Sequence, residues 1–136
     1  MKILALDYGK KRTGVAETDD LQMIASPLTT VQTDVLLDFL DKYLKENQVE
    51  TIVIGEPLRE DGTHNELETD IIRLIKKLNK KFPSIKIERE DERYTSKMAF
   101  QSLIEGGAGR KKRRDKSLTD RVSAAIILQD YLNRKK

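Results

Sequence analysis

The run Ile3–Leu6 is unbroken and apolar, and it ends on a carboxylate, Asp7. A short run without polar alternation fits a strand covered on both faces, so the chain must place layers on either side of a sheet. Gly9, the cations Lys10, Lys11 and Arg12, and Thr13-Gly14 follow before a second apolar run, Val15-Ala16. Two strands joined by a short Gly-containing turn make a hairpin. One acid is thereby set at a strand end beside positive charge and flexible backbone, which suits a metal ion or a phosphate. An ordinary hairpin with a solvated polar turn is the competing reading.

Beyond the hairpin, Ser26–Val31 reads as a third strand, with Pro27 favouring its beginning or an edge. Thr33-Asp34 supplies helix-start chemistry, and Leu36, Leu40, Tyr43 and Leu44 recur at helical spacing to about Glu46. Thr51–Ile54 is another buried strand, closed by Gly55-Glu56-Pro57. Thr63 with Glu66 has the pattern of a capping box, and Leu67, Ile71, Leu74, Ile75, Leu78 and Phe82 mark an amphipathic helix that Pro83 stops. Ile85 and Ile87 alternate with charge in a fifth strand leading into Arg89–Thr95. Thr95 or Ser96 then caps a helix carrying Met98, Ala99, Leu103 and Ile104, ended by Gly106-Gly107. Arg110–Lys116 is too charged to pack and reads as an exposed loop, and a last helix covers roughly Ser117–Asn133. Strands separated by helices after an initial meander imply an α/β fold, a five-stranded mixed sheet with Asp7's strand at its centre and helices on both faces. The 136 residues are read as one domain, 1–136.

If the last strands run parallel to the first, Asp7, Glu56, Asp91 and Glu92 gather at one end of the sheet, where open α/β sheets bind ligands. Asp120 shares a helical face with Ala124, Ile127 and Tyr131, so it points at the sheet and needs a partner there. A structural pairing with Arg121 or Arg93, or a helix-start cap, is the alternative for Asp120. With no Cys and one His, converging carboxylates point to hard-cation ligation by oxygen, Mg²⁺ or Mn²⁺. Such ions activate water and stabilise a leaving oxygen in phosphodiester hydrolysis. His64 falls at a loop-to-helix junction and reads as solvated, which leaves no His-based triad or zinc site.

The absence of Cys excludes a disulfide framework and thiolate metal sites. No apolar segment approaches membrane-spanning length and the N-terminus has no signal-peptide pattern, so a soluble cytoplasmic protein with no membrane partner is expected. The formal net charge is only +3, but cations crowd into 110–116 and 134–136, which suggests an anionic partner. Arg110, Lys111, Lys112, Arg113 and Arg114 are candidate phosphate contacts, with Lys10, Lys11 and Arg12 secondary.

The segments LDYGKKRTGVA, IVIGEPLREDG, EDERYTS and TDRVSAAIILQDYL, in this order and over essentially the whole chain, resemble the YqgF-type family of pre-16S rRNA nucleases, also described as Holliday junction resolvases. The resemblance implies a ribonuclease H-like fold, a cytoplasmic location and a role in maturing the 5′ end of pre-16S rRNA, with ribosomal particles as further partners. The matching acids are Asp7, Glu92 (beside Asp91) and Asp120, which it marks as catalytic and metal-binding. Glu56 departs from the family, which commonly has an apolar residue before the proline. Geometry favours Glu56 as neighbour of Asp7 and the motif favours Glu92, so Glu92 is taken as the third ligand, with Glu56, Asp91 and Arg93 auxiliary.

Other readings stay open. Branched DNA requires the same acids and phosphate contacts as RNA. A non-catalytic RNA-binding module would use the basic loop alone. ATP binding is suggested by Asp7-x-Gly9 followed by Gly14, but such proteins close two domains on the nucleotide.

Overall fold

The computed structural model describes residues 1–59, 61–92 and 116–135. The helix expected after Thr95, the basic run Arg110–Arg114, and Arg93 lie outside the described residues. Five strands form one sheet: β1 (Lys2–Asp7), β2 (Arg12–Thr18), β3 (Ala25–Gln32), β4 (Val49–Glu56) and β5 (Lys86–Asp91). Among the described residues three helices accompany them: α1 (Leu36–Glu46), α2 (Leu67–Lys81) and α3 (Lys116–Lys135), with a 3-10 turn at Thr33–Val35 before α1.

The strand order is β3-β2-β1-β4-β5, so β1 is central as its apolar run requires. β1–β2 and β2–β3 are antiparallel, whereas β1–β4 and β4–β5 are parallel. The helical crossovers thus bring the carboxyl ends of β1, β4 and β5 to the same edge. Side chains alternate along each strand and feed two cores. Leu4, Leu6, Ile52 and Ile54 pack with Leu36, Leu40, Ile71 and Leu78 of α1 and α2. Ile3, Ala5 and Val53 face Ala124, Ile127, Leu128 and Tyr131 of α3 on the other side.

One detail differs from the sequence reading. Thr63 and Glu66 make no capping box: the Thr63 hydroxyl donates to Asp61 at 2.7 Å, and Asn65 Oδ1 accepts the Leu67 N–H at 2.9 Å. Asn65, two residues ahead of the helix, takes the orphan donor instead. The last helix is described over Lys116–Lys135, in keeping with the helix expected from about Ser117, and the Thr30 hydroxyl ties it to the sheet through the Ser117 carbonyl. Among the described residues no helix is long and apolar enough to cross a membrane.

Candidate active site

Strand parity sorts the acids. Leu6 pairs with Ile54, which places Asp7 beside Gly55, both on the α3 face of the sheet. Glu56 follows the Ile54 series and turns to the α2 face. Its Oε2 lies 2.8 Å from His64 Nε2. Asp91, opposite Glu56 in register, is exposed. Glu92 comes next and returns to the side of Asp7. Its backbone N–H donates to the Glu56 carbonyl at 3.1 Å, and its carboxyl group lies directly over Gly55.

Asp7 and Glu92 share a side-chain hydrogen bond in this position. Burial pushes Asp7 up to about 6; the bond to Glu92 works against that, and the nearby Asp120 charge adds to it. Glu92 is pushed up to about 10, first by burial, then by the charge of Asp7 and the hydrogen bond to it. Arg89 opposes this rise and Asp91 adds to it. Two carboxyl groups so close cannot both ionise, and the pair keeps one proton at neutral pH. A divalent cation would replace that proton, so this all-oxygen donor set fits Mg²⁺ or Mn²⁺.

Asp120 arrives from α3, in the turn of the helix that lies against Gly14 of β2. Its face is sheet-directed as expected, and among the described residues its partner is not Arg121. Arg12 Nε donates to Asp120 Oδ2 at 2.8 Å, joining the hairpin to the last helix. Arg121 instead donates to Ser117 on its own helix. Arg12, bonded to Asp120, also lines an open hollow of about 510 Å³ with Lys10, Lys11, Gln32 and Asp34. Lys10 and Lys11 are exposed. A second hollow of about 240 Å³ opens onto the acids themselves, between Asp7, Glu92, Tyr8, Pro57 and Asn65.

His64 is not a lone solvated residue. Ligand atoms of Glu56, His64 and Glu68 all lie within 4.8 Å of one another, so one imidazole and two carboxylates do meet in this chain. The Arg89 guanidinium also holds Glu68 through two bonds of 2.7 and 3.0 Å, and lowers its carboxyl below the ordinary value against the effect of burial. This cluster fastens the 57–66 segment to α2. Glu56 belongs to it, apart from Asp7, because one residue along a strand reverses the face.

Gly55 gives a test of the Asp7–Glu92 pairing that spares the fold. A Cβ at Gly55 would lie 2.7–2.9 Å from the Glu92 carboxyl atoms. The obstructing group is the far end of a flexible side chain, so it swings away. Gly55→Ala should keep the melting temperature within about 3 °C, since the clash costs under ~1 kcal/mol. Divalent-ion affinity, read by calorimetry, should nonetheless fall at least ~10-fold. Unchanged affinity would remove Glu92 from the ligand set.

With this geometry in view, the relatives are informative. Residues 1–134 match the family described as RuvX: Holliday junction resolvase. A protein of Christiangramia forsetii named "Putative pre-16S rRNA nuclease" is 58% identical over 131 residues, covering 96% of this chain and 97% of that one. Same-named proteins of Porphyromonas gingivalis (52% over 132 residues, 97% and 96% covered) and Flavobacterium psychrophilum (50% over 135 residues, 98% and 98% covered) are also similar. The Fowlpox virus resolvase in complex with Holliday junction DNA shares the fold, with a TM-score of 0.60 at 12% identity over 99% of each chain. The chain belongs to the RuvX family of nucleases, and its fold is ribonuclease H-like.

Proposed function

We propose that this chain is a metal-dependent endonuclease that hydrolyses phosphodiester bonds at the 5′ end of pre-16S rRNA during ribosome biogenesis. The single observation that carries the reading is the meeting of the Asp7 and Glu92 carboxyl groups beside Gly55 at one sheet edge, with the Asp120 charge beside them. Asp7, Glu92 and Asp120 would hold Mg²⁺ or Mn²⁺. The bound ion supplies a Lewis acid that lowers the pKa of water and stabilises the leaving oxygen.

The chain's own residues do the rest. Asp7 ends the central strand, paired with Gly14 of β2 one residue past the Leu6–Ile54 pair with β4. Glu92 must give up the proton it shares with Asp7 when the cation enters. Arg12 neutralises Asp120 in the free protein and is also the cation nearest the acids from the hairpin. A substrate phosphate reaching Arg12 would compete for the guanidinium and free Asp120 for ligation. Lys10 and Lys11 extend that positive edge, and Arg110, Lys111, Lys112, Arg113 and Arg114 are the further phosphate contacts.

RNA is favoured because the similar proteins carry that substrate in their names. Branched DNA is the second reading, favoured by the description of the family. A transcript spanning the 5′ end of 16S rRNA and a four-way DNA junction should be compared in Mg²⁺, Mn²⁺ and EDTA, beside Asp7→Asn and Asp120→Asn. Cleavage of the transcript alone, lost in EDTA and in both variants, is the expected result. Cleavage of the junction alone would move the substrate to DNA, and metal-dependent cleavage by Asp120→Asn at the wild-type rate would end the proposed ligand set. A cytoplasmic location and contact with ribosomal particles go with the RNA reading.

The hairpin cations should act in binding. Each Lys or Arg contact to single-stranded phosphate contributes ~0.7 to the slope of log affinity against log salt. Replacing Lys10 and Lys11 with Ala should therefore flatten the slope by roughly 1–1.5. Fluorescence anisotropy across a salt series reads this directly, and an unchanged slope would return both lysines to the solvated surface.

A further inference from the structure

Tyr8 follows Asp7 directly, so its side chain leaves the end of β1 on the opposite face, toward α2 and the Thr33–Val35 turn. It is the wall shared by two hollows. One is the 240 Å³ cleft of Asp7 and Glu92. The other is a pocket of about 320 Å³, lined by Leu37 and Leu74 and by the charged residues Asp34, Asp70, Arg73 and Lys77. A volume of that size falls in the ~300–1,000 Å³ range of small-molecule sites.

The wall is fixed in place. The Thr33 hydroxyl donates to the Gly9 carbonyl at 2.6 Å, and the Thr33 N–H donates to the Lys11 carbonyl at 2.9 Å. The turn carrying Tyr8 is therefore pinned to the turn before α1. Burial, and then the charge of Asp70, raise the Tyr8 phenol above its ordinary value, so it stays neutral. Asp70 is half-buried and lies 3.5 Å from Arg73, while Arg73 and Lys77 stand exposed one helical turn apart. An apolar lining and an aromatic wall accept a flat heterocycle, a carboxylate accepts its N–H edge, and two cations suit the phosphates on either side.

We propose that this pocket receives an unpaired nucleobase of the nucleotide next to the phosphate cut at Asp7 and Glu92, stacked on Tyr8 with its N–H edge toward Asp70. The inference rests on the nuclease reading and deepens it: the strand must be unpaired where it is cut. A base inside a duplex would have to be unstacked first, which opposes its entry.

The test uses the full chain in EDTA, with a 12-mer single-stranded RNA carrying 2-aminopurine at successive positions, and the same RNA annealed to its complement. For the single strand, Tyr8→Ala should raise Kd roughly 10- to 100-fold, the loss of one base–aromatic stack. Tyr8→Phe should stay within about twofold of wild type, because the ring remains. One 2-aminopurine position should be quenched in wild type and Tyr8→Phe but not in Tyr8→Ala, and duplex affinity should not move. Equal single-strand affinity of Tyr8→Ala and wild type overturns the proposal, as does an equal loss for single strand and duplex. If Tyr8→Ala does not fold, Arg73→Ala with Lys77→Ala serves: it should flatten the single-strand salt slope by about 1–1.5 and leave the duplex slope alone, and any other result overturns the proposal. Failure of the nuclease reading looks different. The wild-type chain would then cleave nothing in Mg²⁺ or Mn²⁺, while the Tyr8-dependent quenching persisted. Cleavage by Tyr8→Ala with unchanged KM would sink the pocket and leave the nuclease standing.

Discussion

Asp7→Asn should lose metal-dependent cleavage by at least ~10²–10³-fold, the scale of removing one charge-stabilising group from a reacting centre, and should become more stable in EDTA than the wild type. Both follow from a single arrangement. The Asp7 carboxyl is pushed up to about 6, from an ordinary 3.8, by burial and by the Asp120 charge. A raised carboxyl means that the folded state binds the proton more tightly than the unfolded chain does. Its stabilising contribution is complete below the unfolded value near 4 and is lost as pH rises through about 6. Wild-type stability in EDTA should therefore decline across that window, by on the order of 1–3 kcal/mol after allowance for partial exposure. Glu92, raised to about 10, continues the decline above it. The amide in Asp7→Asn cannot ionise, so the decline between pH 4 and 6 should flatten in the variant. Added Mn²⁺ at neutral pH should raise the wild-type melting temperature and leave that of Asp7→Asn unmoved, because a ligand stabilises only the state that binds it. Affinity for the ion should also rise with pH, since Glu92 has a proton to lose. Thermal melts from pH 4 to 8, with and without the ion, check all of this. An Asp7→Asn chain less stable than wild type at neutral pH in EDTA would mean that Asp7 is a structural acid.

The position of Asp7 was legible because the run Ile3–Leu6 leaves no solvent face, which makes β1 central, and because helical crossovers bring parallel strand ends together. The motif also named Glu92, and parity explains why. One step along the strand separates Glu56 on the α2 face from the α3 face that Asp7 and Glu92 share, but that choice needs the Leu6–Ile54 register, which the sequence does not state. The partner of Asp120 was out of reach for a similar reason. Arg121 was the candidate offered by nearness, whereas Arg12 lies 108 residues away and meets Asp120 only when the hairpin closes beneath α3. His64 was misjudged because an exposed histidine in a loop has no periodic signal. Its contacts come from the turn that folds the loop back, where Leu58 bridges to His64.

Gly14 shows how much of the site rests on one missing side chain. It pairs with Asp7 across β1 and β2, and its open face lies against the backbone of α3. A Cβ there would collide with the Asp120 carbonyl oxygen and stand 2.9 Å from the Arg121 nitrogen. Gly14 is not among the positive-φ residues, so its requirement is steric and not one of backbone freedom. Helix backbone cannot turn aside as the Glu92 carboxyl does at Gly55. The whole of α3 would have to lift, loosening Ala124, Ile127, Leu128 and Tyr131 from the sheet. Gly14→Ala should accordingly cost roughly 3 kcal/mol, the upper end for overpacking, and lower the melting temperature by about 10 °C. Lifting α3 also draws Asp120 away from Arg12 and Asp7, so divalent-ion affinity should fall in the fraction that remains folded. Paired measurements separate the two glycines. Gly55→Ala should lose the ion with its stability intact, whereas Gly14→Ala should lose both together. A Gly14→Ala chain that melts with the wild type would show that α3 does not seat against β2 at this point, and Asp120 would then have no fixed place beside Asp7.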